Sequence, residues 1–332
     1  MAEETHTARW RVVGQSVRGA AHVRAGIPNQ DAIHWLPESS TGLPLILAVA
    51  DGHGSHRSFR SETGARLAVE TAAEVICDFL RGQNQTESLS VTKRAAEEWL
   101  PQALTRRWLE AVASHLAAHP LSADELAVLR EVPAVASAQS APSNLPVAYG
   151  TTLLAAAVAA RFILYLQLGD GEILTVSREG EVTRPLPKDE RLFANETTSL
   201  CSPDAWRDFR VSFQVRSNAP PSLILLSTDG YSNSFQDDAG FLKVGSDLLG
   251  MIRTTAGGLD MVNEHLESWL TESTYAGSGD DITVGLICSE ETFEARAARE
   301  SRPSSLKKRS AKDQEFDQSE VEVHDAPVER EV

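Results

Sequence analysis

Apolar runs of the length of buried strands recur along the chain, and each stops at a short polar segment. The clearest is Leu45–Ala50, which ends in Asp51-Gly-His-Gly. Four to eight apolar residues bounded by glycine are typical of a strand covered on both faces, which holds polar groups rigidly at its tip. Three more runs have a carboxylate at one end: 162–168 before Asp170, 222–228 before Asp229, and 282–288 after Asp280 and Asp281.

The remaining pattern predicts further strands and amphipathic helices. Strands are expected at 10–17, 31–35, 149–160, 172–177 and 208–215, with 172–177 continuing the sheet that contains 162–168. Helices are expected at 61–80, 92–119, 240–255 and 259–271, and a short one after Ser122 as N-cap. Residues 18–29 read as a loop, and 131–147 as a linker inside one domain.

The four carboxylates at strand ends have two interpretations. Taken singly, Asp-Gly and Gly-Asp after a strand are ordinary turn chemistry. Taken together, carboxylates at one edge of a core repel one another and cost several kcal/mol each to desolvate unless a cation neutralises them. Oxygen-only clusters suit magnesium or manganese, and two such ions about 3.5 to 4 Å apart would form a hydrolytic site. The sequence itself does not show that the four strand ends converge.

Several short motifs occur along the chain in an order that resembles a known protein family. The motifs are Asp51-Gly-His-Gly, Gly150-Thr-Thr, Gly169-Asp170, Ser227-Thr-Asp229-Gly230 and Asp280-Asp-Ile-Thr283. In this order they resemble the metal-dependent Ser/Thr protein phosphatases of type 2C, over residues 9–289. The opening Ser16-Val-Arg-Gly-Ala-Ala-His22 and Gly26-Ile-Pro-Asn-Gln-Asp31 look like a bacterial branch of that family.

The resemblance implies an α+β fold, a four-layer α-β-β-α sandwich of two antiparallel sheets with flanking helices. It implies two divalent cations, manganese or magnesium, that activate a bridging hydroxide for hydrolysis of phosphoserine and phosphothreonine in proteins. By the resemblance, Asp51 bridges both ions, the Gly52 carbonyl binds one, and Asp229 and Asp280 complete the other. Asp31 would hold a metal-bound water, and Asp170 with Asp229 could bind a weaker third ion.

His53 is the candidate general acid for the departing seryl or threonyl oxygen. Its alternative is a structural histidine satisfied by a carboxylate. The alternative function is a catalytically weak or inactive phosphoprotein-binding regulator on the same fold, and two departures from the family pattern keep it open. Gly26 stands where the family usually has an arginine, and Gln30 where it has a glutamate. Arg24, Arg18 and His22 are the candidates to bind the phosphate instead.

Net charge, hydrophobicity and cysteine content limit the partners and the cellular compartment that we expect for the protein. The net charge of −16 argues against nucleic acid or an anionic membrane surface as partner. There is no apolar run long enough to span a membrane, and the polar start, with a flexible 1–8, is unlike a signal peptide. Three scattered cysteines favour a reducing cytoplasm. We therefore expect a cytoplasmic monomer that acts on phosphorylated proteins, the substrates of a Ser/Thr kinase.

A competing motif is the Cys201 to Arg207 spacing, which is that of cysteine-dependent phosphatases. Leu200 stands where those enzymes have a histidine, and no glycine in the loop allows an anion-binding turn. Asp204 would also disfavour a thiolate. The motif is therefore interpreted as coincidence.

Residues 290–332 hold 12 acidic and 8 basic side chains with Ser and Pro and few aromatics, which predicts a disordered charged tail. Its composition cannot bury enough apolar area to offset the entropy of ordering. Truncation after Glu290 should therefore leave kcat/KM on a small phosphopeptide nearly unchanged. A loss above tenfold, about 1.4 kcal/mol of barrier, would mean that the tail docks on the catalytic domain.

Overall fold

The computed structural model describes residues 10–83, 88–130, 142–188, 197–216, 219–255 and 257–289. These residues form two five-stranded sheets in which every neighbouring pair is antiparallel. The first sheet has the order β1-β10-β9-β6-β7, and the second has the order β2-β3-β4-β5-β8. The strands are β1 Trp10–Val17, β2 Ala32–Leu36, β3 Leu45–Ala50, β4 Leu153–Val158, β5 Phe162–Leu168, β6 Glu172–Val176, β7 Val182–Thr183, β8 Arg210–Val215, β9 Leu223–Ser227 and β10 Ile282–Ser289.

Helices cover the outer face of each sheet. The described helices are α1 Ala20–Ala25, α2 Ser61–Gly82, α3 Leu89–Glu98, α4 Leu100–Ala118, α5 Ala123–Arg130, α6 Asp229–Ser232, α7 Asp238–Thr254 and α8 Leu259–Ala276. One apolar cluster joins α2 and α4 to the second sheet, another joins α7 and α8 to the first, and a third fills the space between the sheets. This layering confirms the predicted α+β sandwich. None of the described helices is both long and apolar enough to cross a membrane.

Three local predictions were wrong, each for a physical reason. The loop expected at 18–29 contains the six-residue helix α1. The single helix expected at 92–119 is broken at Trp99, because Pro101 lacks an amide hydrogen and fits only the first turn of a new helix. The strand expected to extend the sheet of β5 is β6, which pairs with β9 in the other sheet.

Other predictions fall partly or wholly outside the described residues. Of the predicted linker, 131–141 lie outside them, and Pro142–Tyr149 form a 3₁₀-helix. The N-terminal segment 1–8 and the tail 290–332 also lie outside the described residues.

The predicted N-cap of α5, Ser122, is confirmed. Ser122 Oγ accepts the Glu125 amide at 3.2 Å, and the Glu125 carboxylate accepts the Ser122 amide at 2.8 Å, which completes a capping box.

The register explains why the polar strand ends meet. In an antiparallel sheet, the end of one strand lies beside the start of the next. The ends of β1, β3, β5 and β9 and the starts of β2, β4, β6 and β10 therefore share one edge of the sandwich. The pairs that mark this edge are Ala32 with Ala50, Leu153 with Leu168, Val17 with Ile282, and Ser227 with Val284.

Helix α2 starts at this edge and packs very closely on the chain near Tyr149. A Cβ on Gly64 would overlap the Tyr149 carbonyl, which is backbone and cannot rotate away. The Gly64 carbonyl also accepts the buried Trp108 indole N–H at 3.1 Å. Glycine at this position therefore sets the distance between α2 and the segment that precedes β4.

We expect Gly64→Ala to destabilise the protein by about 1–3 kcal/mol, because an overpacked contact with backbone can be relieved only by moving α2. The measurement is the midpoint of urea unfolding. Gly82→Ala is the matched control, since Gly82 ends the same helix and its Cβ would meet open space. Equal midpoints for the two variants would contradict this account of the contact.

Candidate active site

A cleft of about 750 Å³ opens at the edge where the strand ends meet. Five aspartates line it, together with two histidines and uncharged residues. Among the described residues that line it there is no lysine or arginine. The aspartates come from both sheets and are Asp51, Asp170, Asp229, Asp280 and Asp281. The structure thus brings together the four carboxylate-bearing strand ends that the sequence could not show to converge.

Asp51 follows β3, a strand with every residue buried. Its amide donates to Thr152 Oγ1 at 3.0 Å, and its carbonyl accepts the Thr152 amide at 2.8 Å. The next amide, of Gly52, donates to the Gln30 carbonyl at 3.1 Å. A Cβ on Gly52 would lie 2.6 Å from that carbonyl oxygen and 2.8 Å from the carbonyl oxygen of Ser61. Only glycine therefore allows the chain to pass between these two backbones beside Asp51.

Asp31 does not line the cleft but lies buried close to it. One of its oxygens, Oδ2, accepts the hydroxyls of Thr228 and Thr283, both at 2.8 Å. Burial raises the pKa of Asp31 well above its usual range, and the charges of Asp281 and Asp280 raise it further against the effect of the two hydroxyls. The sequence analysis did not single out either threonine, although each lies in a quoted motif that contains a predicted ligand, Asp229 or Asp280.

The carboxyl groups of Asp51 and Asp229 lie close enough for each to shift the pKa of the other. Burial raises the pKa of Asp51, and the charges of Asp31 and Asp229 raise it further. Burial also raises the pKa of Asp229, with contributions from Asp170 and Asp280. Asn233 Nδ2, another residue that the sequence did not single out, donates to Asp229 Oδ2 at 2.9 Å and fixes that side chain.

The donor set fits divalent cations. Carboxylates whose pKa values are raised by burial and by one another are unstable as anions unless positive charge lies among them. No lysine or arginine lies among the described residues that line the cleft. The charged groups that crowd together there are carboxylates, whose oxygens can act as metal ligands. Oxygen donors of this kind bind magnesium, calcium or manganese.

His53 lies beside Asp51 and is held through its backbone. Its amide donates to the Gly150 carbonyl at 3.0 Å, and a Cβ on Gly150 would lie 2.7 Å from the His53 ring. Burial lowers the pKa of His53, and the negative charge of Asp170 opposes this shift. The imidazole is thus placed in the cleft with a carboxylate near it.

A network centred on Arg60 supports the segment that backs His53. The Arg60 guanidinium pairs with Glu125 at 2.8 and 2.9 Å and donates to the Tyr149 hydroxyl at 2.9 Å. Its amide donates to the Ala148 carbonyl at 2.8 Å. The hydrogen bonds from Arg60 lower the pKa of Glu125 to about 2. The network therefore anchors residues 148–150, on which His53 rests. No local pattern in the sequence predicts this network, although Ser122, the predicted N-cap of α5, lies next to it.

The three candidate phosphate-binding residues lie in different places. Arg18 Nη2 donates to the His22 carbonyl at 3.0 Å, and Arg24 is exposed on α1. Neither lines the cleft. His22 does line it, but its Nδ1 is 2.9 Å from Asp281 Oδ2, and its Nε2 is 3.7 Å from Asp280 Oδ1. The structure therefore brings only one of the three to the carboxylates.

Cys201 lies behind Gly150 and does not line the cleft. Burial raises the pKa of its thiol, which disfavours a nucleophilic thiolate. Arg207 stacks on the Trp206 ring and pairs with Asp204 rather than facing the thiol. The spacing of Cys201 and Arg207 therefore builds no phosphate-binding loop, as the sequence interpretation held.

Comparison with known proteins identifies the family of the chain. The family model for protein phosphatase 2C matches residues 18–271. A search among curated proteins gives no match. A solved bacterial serine phosphatase is 14% identical, with 83% of this chain and 96% of that one covered and a TM-score of 0.51, which shows the fold.

Two further solved structures are similar at a TM-score of 0.49. The catalytic domain of the phosphatase PstP, in complex with two manganese ions, is 18% identical and covers 85% of this chain and 99% of its own. Stp1 from Staphylococcus aureus is 13% identical and covers 83% of this chain and 94% of its own. The family match extends over most of the chain, and so the protein belongs to the protein phosphatase 2C family and is a metal-dependent Ser/Thr protein phosphatase.

Proposed function

We propose that the protein hydrolyses phosphoserine and phosphothreonine with two divalent cations, manganese or magnesium, held by Asp51, Gly52, Asp229 and Asp280. The observation that carries the proposal is the convergence of carboxylates from both sheets in one cleft, where burial and mutual repulsion raise the pKa values of Asp51 and Asp229. In this proposal Asp170 with Asp229 is the place for a weaker third ion.

When bound, the ions supply a water activated for attack at neutral pH and positive charge that faces the phosphoryl oxygens. The chain's part is to fix the donors. Thr152 and Gln30 hold the backbone around Asp51 and Gly52, and Asn233 holds Asp229. The hydroxyls of Thr228 and Thr283 donate to one oxygen of Asp31 and hold its carboxylate, which in this proposal would bind a water of one of the ions.

We assign His53 the role of general acid. Burial lowers the pKa of His53, which favours the neutral ring. A phosphoryl dianion close to the ring, together with Asp170, favours the protonated form. A proton delivered to the seryl or threonyl oxygen removes the need to expel an alkoxide.

We also propose a cellular compartment, an oligomeric state and an origin for the protein. The sequence has only three scattered cysteines, which suits a reducing compartment, and we propose a cytoplasmic monomer that acts on substrates of a Ser/Thr kinase. A bacterial origin is proposed from the sequence resemblance.

Metal removal provides the first test. A chelator should abolish hydrolysis of a phosphothreonine peptide, and manganese or magnesium should restore it. Asp229→Asn keeps the shape but removes one negative charge, so metal affinity and turnover should fall together. Cys201→Ser is the control and should be nearly silent.

The opposite pattern would overturn the proposal. Activity that persists in chelator and vanishes in Cys201→Ser would indicate cysteine chemistry. Phosphopeptide binding without turnover in the metal-loaded protein would instead favour the alternative of an inactive binding regulator.

The second test separates leaving groups. His53→Ala should lower the rate on a phosphothreonine peptide by roughly 10² or more, because an alkoxide needs a proton in the transition state. The rate on p-nitrophenyl phosphate should fall less, since its leaving group is a stable anion. The measurement is kcat/KM for both substrates at saturating metal. Equal losses on both would exclude the general-acid role.

A further inference from the structure

We propose that Asp281 is a positioning residue and not a metal ligand. It anchors residues 19–30, here called the cleft-edge segment, and through this segment it fixes the positions of the residues proposed to bind the metal ions. The inference rests on the proposed function, because it concerns the residues assigned to the cations. Asp281 directly follows the proposed ligand Asp280, yet it is 4% exposed, whereas the Asp280 side chain is 52% exposed.

The Asp281 carboxylate accepts hydrogen bonds from both ends of the cleft-edge segment. Its Oδ1 accepts the Gly19 amide at 2.6 Å, and its Oδ2 accepts the Gln30 amide at 2.7 Å. His22 Nδ1, inside the segment, is 2.9 Å from the same Oδ2 and donates to it, because a carboxylate can only accept. One side chain therefore closes the whole segment, including α1, onto the start of β10.

From Gln30 the restraint passes to the donors of the cleft. The same residue that gives its amide to Asp281 uses its carbonyl to accept the Gly52 amide at 3.1 Å. The residue after Gln30 is Asp31, whose carboxylate is held by Thr228 and Thr283. A displaced Gln30 would therefore move Asp31 and Gly52 together.

His22, Asp280 and Asp281 also have the spacing of a metal site, because each offers one ligand atom and these atoms lie within 4.8 Å of one another. The hydrogen bonds argue otherwise. Both Asp281 oxygens already accept N–H groups at 2.6 to 2.9 Å, and His22 Nδ1 is one of the donors. Oδ2 accepts two N–H groups, so a cation bound there would have to displace Gln30 or His22, and Oδ1 keeps only one lone pair beyond its bond to the Gly19 amide.

The number of acceptors explains why a carboxylate is required. Asparagine has the same shape but one oxygen and one amide nitrogen, which only donates. In Asp281→Asn, that nitrogen would face either the Gly19 amide or the pair formed by Gln30 and His22. A donor would then oppose a donor at a buried position, which is costly.

The experiment compares Asp281→Asn with its neighbour Asp280→Asn in the full chain. Amide hydrogen exchange, measured by NMR on the metal-free protein, reports the segment. In Asp281→Asn we expect the Gly19 and Gln30 amides to lose protection. The amides of Ala20 and Ala21 are internal controls, because they donate to Thr274 Oγ1 and to the Gly279 carbonyl. In Asp280→Asn all four amides should keep their protection.

Calorimetric titration with manganese measures the number of ions bound in the cleft and their affinity. Asp281→Asn should still bind the same number of ions as the wild type, with affinity about 10-fold weaker, the lower end of the loss seen when a direct partner of a ligand is removed, because Asp281 acts on the ligands through Gln30. Asp280→Asn should lose one ion. A purely structural role would lower the melting temperature without changing affinity well below it.

Three results would overturn the inference: a lost ion in Asp281→Asn, unchanged exchange at Gly19 and Gln30, or unchanged manganese affinity. If Asp281→Asn does not fold, His22→Phe takes its place, since it removes one of the three hydrogen bonds and should weaken manganese binding less than tenfold without losing an ion. Full wild-type affinity in a folded His22→Phe would then count against the anchor. If the wild type binds no manganese and hydrolyses no phosphopeptide, the proposed function fails, while the exchange measurement still decides whether Asp281 holds the segment.

Discussion

Crowding of negative charge at one edge of the sandwich is the constraint on which the site depends. Two unit charges 4 Å apart repel by about 4 kcal/mol at an effective dielectric constant of 20, and burial adds a desolvation cost. Burial and neighbouring charges accordingly raise the pKa values of Asp31, Asp51 and Asp229. Hydroxyl and amide donors relieve part of the cost at Asp31 and Asp229, but neutral groups cannot cancel net charge. The fold therefore holds a site that is unfavourable until cations enter it.

Such a site needs a rigid support, and the two sheets supply it. β3, β4 and β5 are buried along their whole length, so the strand ends that carry the acidic residues have little freedom to move apart. Close backbone contacts continue this rigidity beyond the strands: Gly52 passes between Gln30 and Ser61, and Gly150 presses against the His53 ring. Burial of the apolar core thus offsets the electrostatic repulsion between the carboxylates at its edge.

The sequence predicted the parts of this arrangement that depend on local pattern. Apolar runs located the buried strands, and the ordered motifs indicated the family and the residues of the cleft. What it missed depends on contacts between distant residues. No local pattern assigns β6 to the sheet of β9 rather than that of β5. Asp281 meets Gly19 and Gln30 across 262 and 251 residues of sequence, so neither the closure of that segment nor helix α1 within it had a readable signal. The Arg60 network is hidden for the same reason, since Arg60 and Tyr149 are 89 residues apart.

The position of the arginines has a consequence for how substrate is held. Arg18 is turned to a backbone carbonyl and Arg24 is exposed on α1, so within the described lining of the cleft no guanidinium can clamp a phosphate. A phosphoryl dianion that enters a cleft of five aspartates meets like charge unless cations have reversed it. In the proposed mechanism the same cations must therefore both attract the substrate and activate the attacking water. Binding and chemistry then depend on one set of charges, and anything that weakens metal binding should raise KM as well as lower kcat.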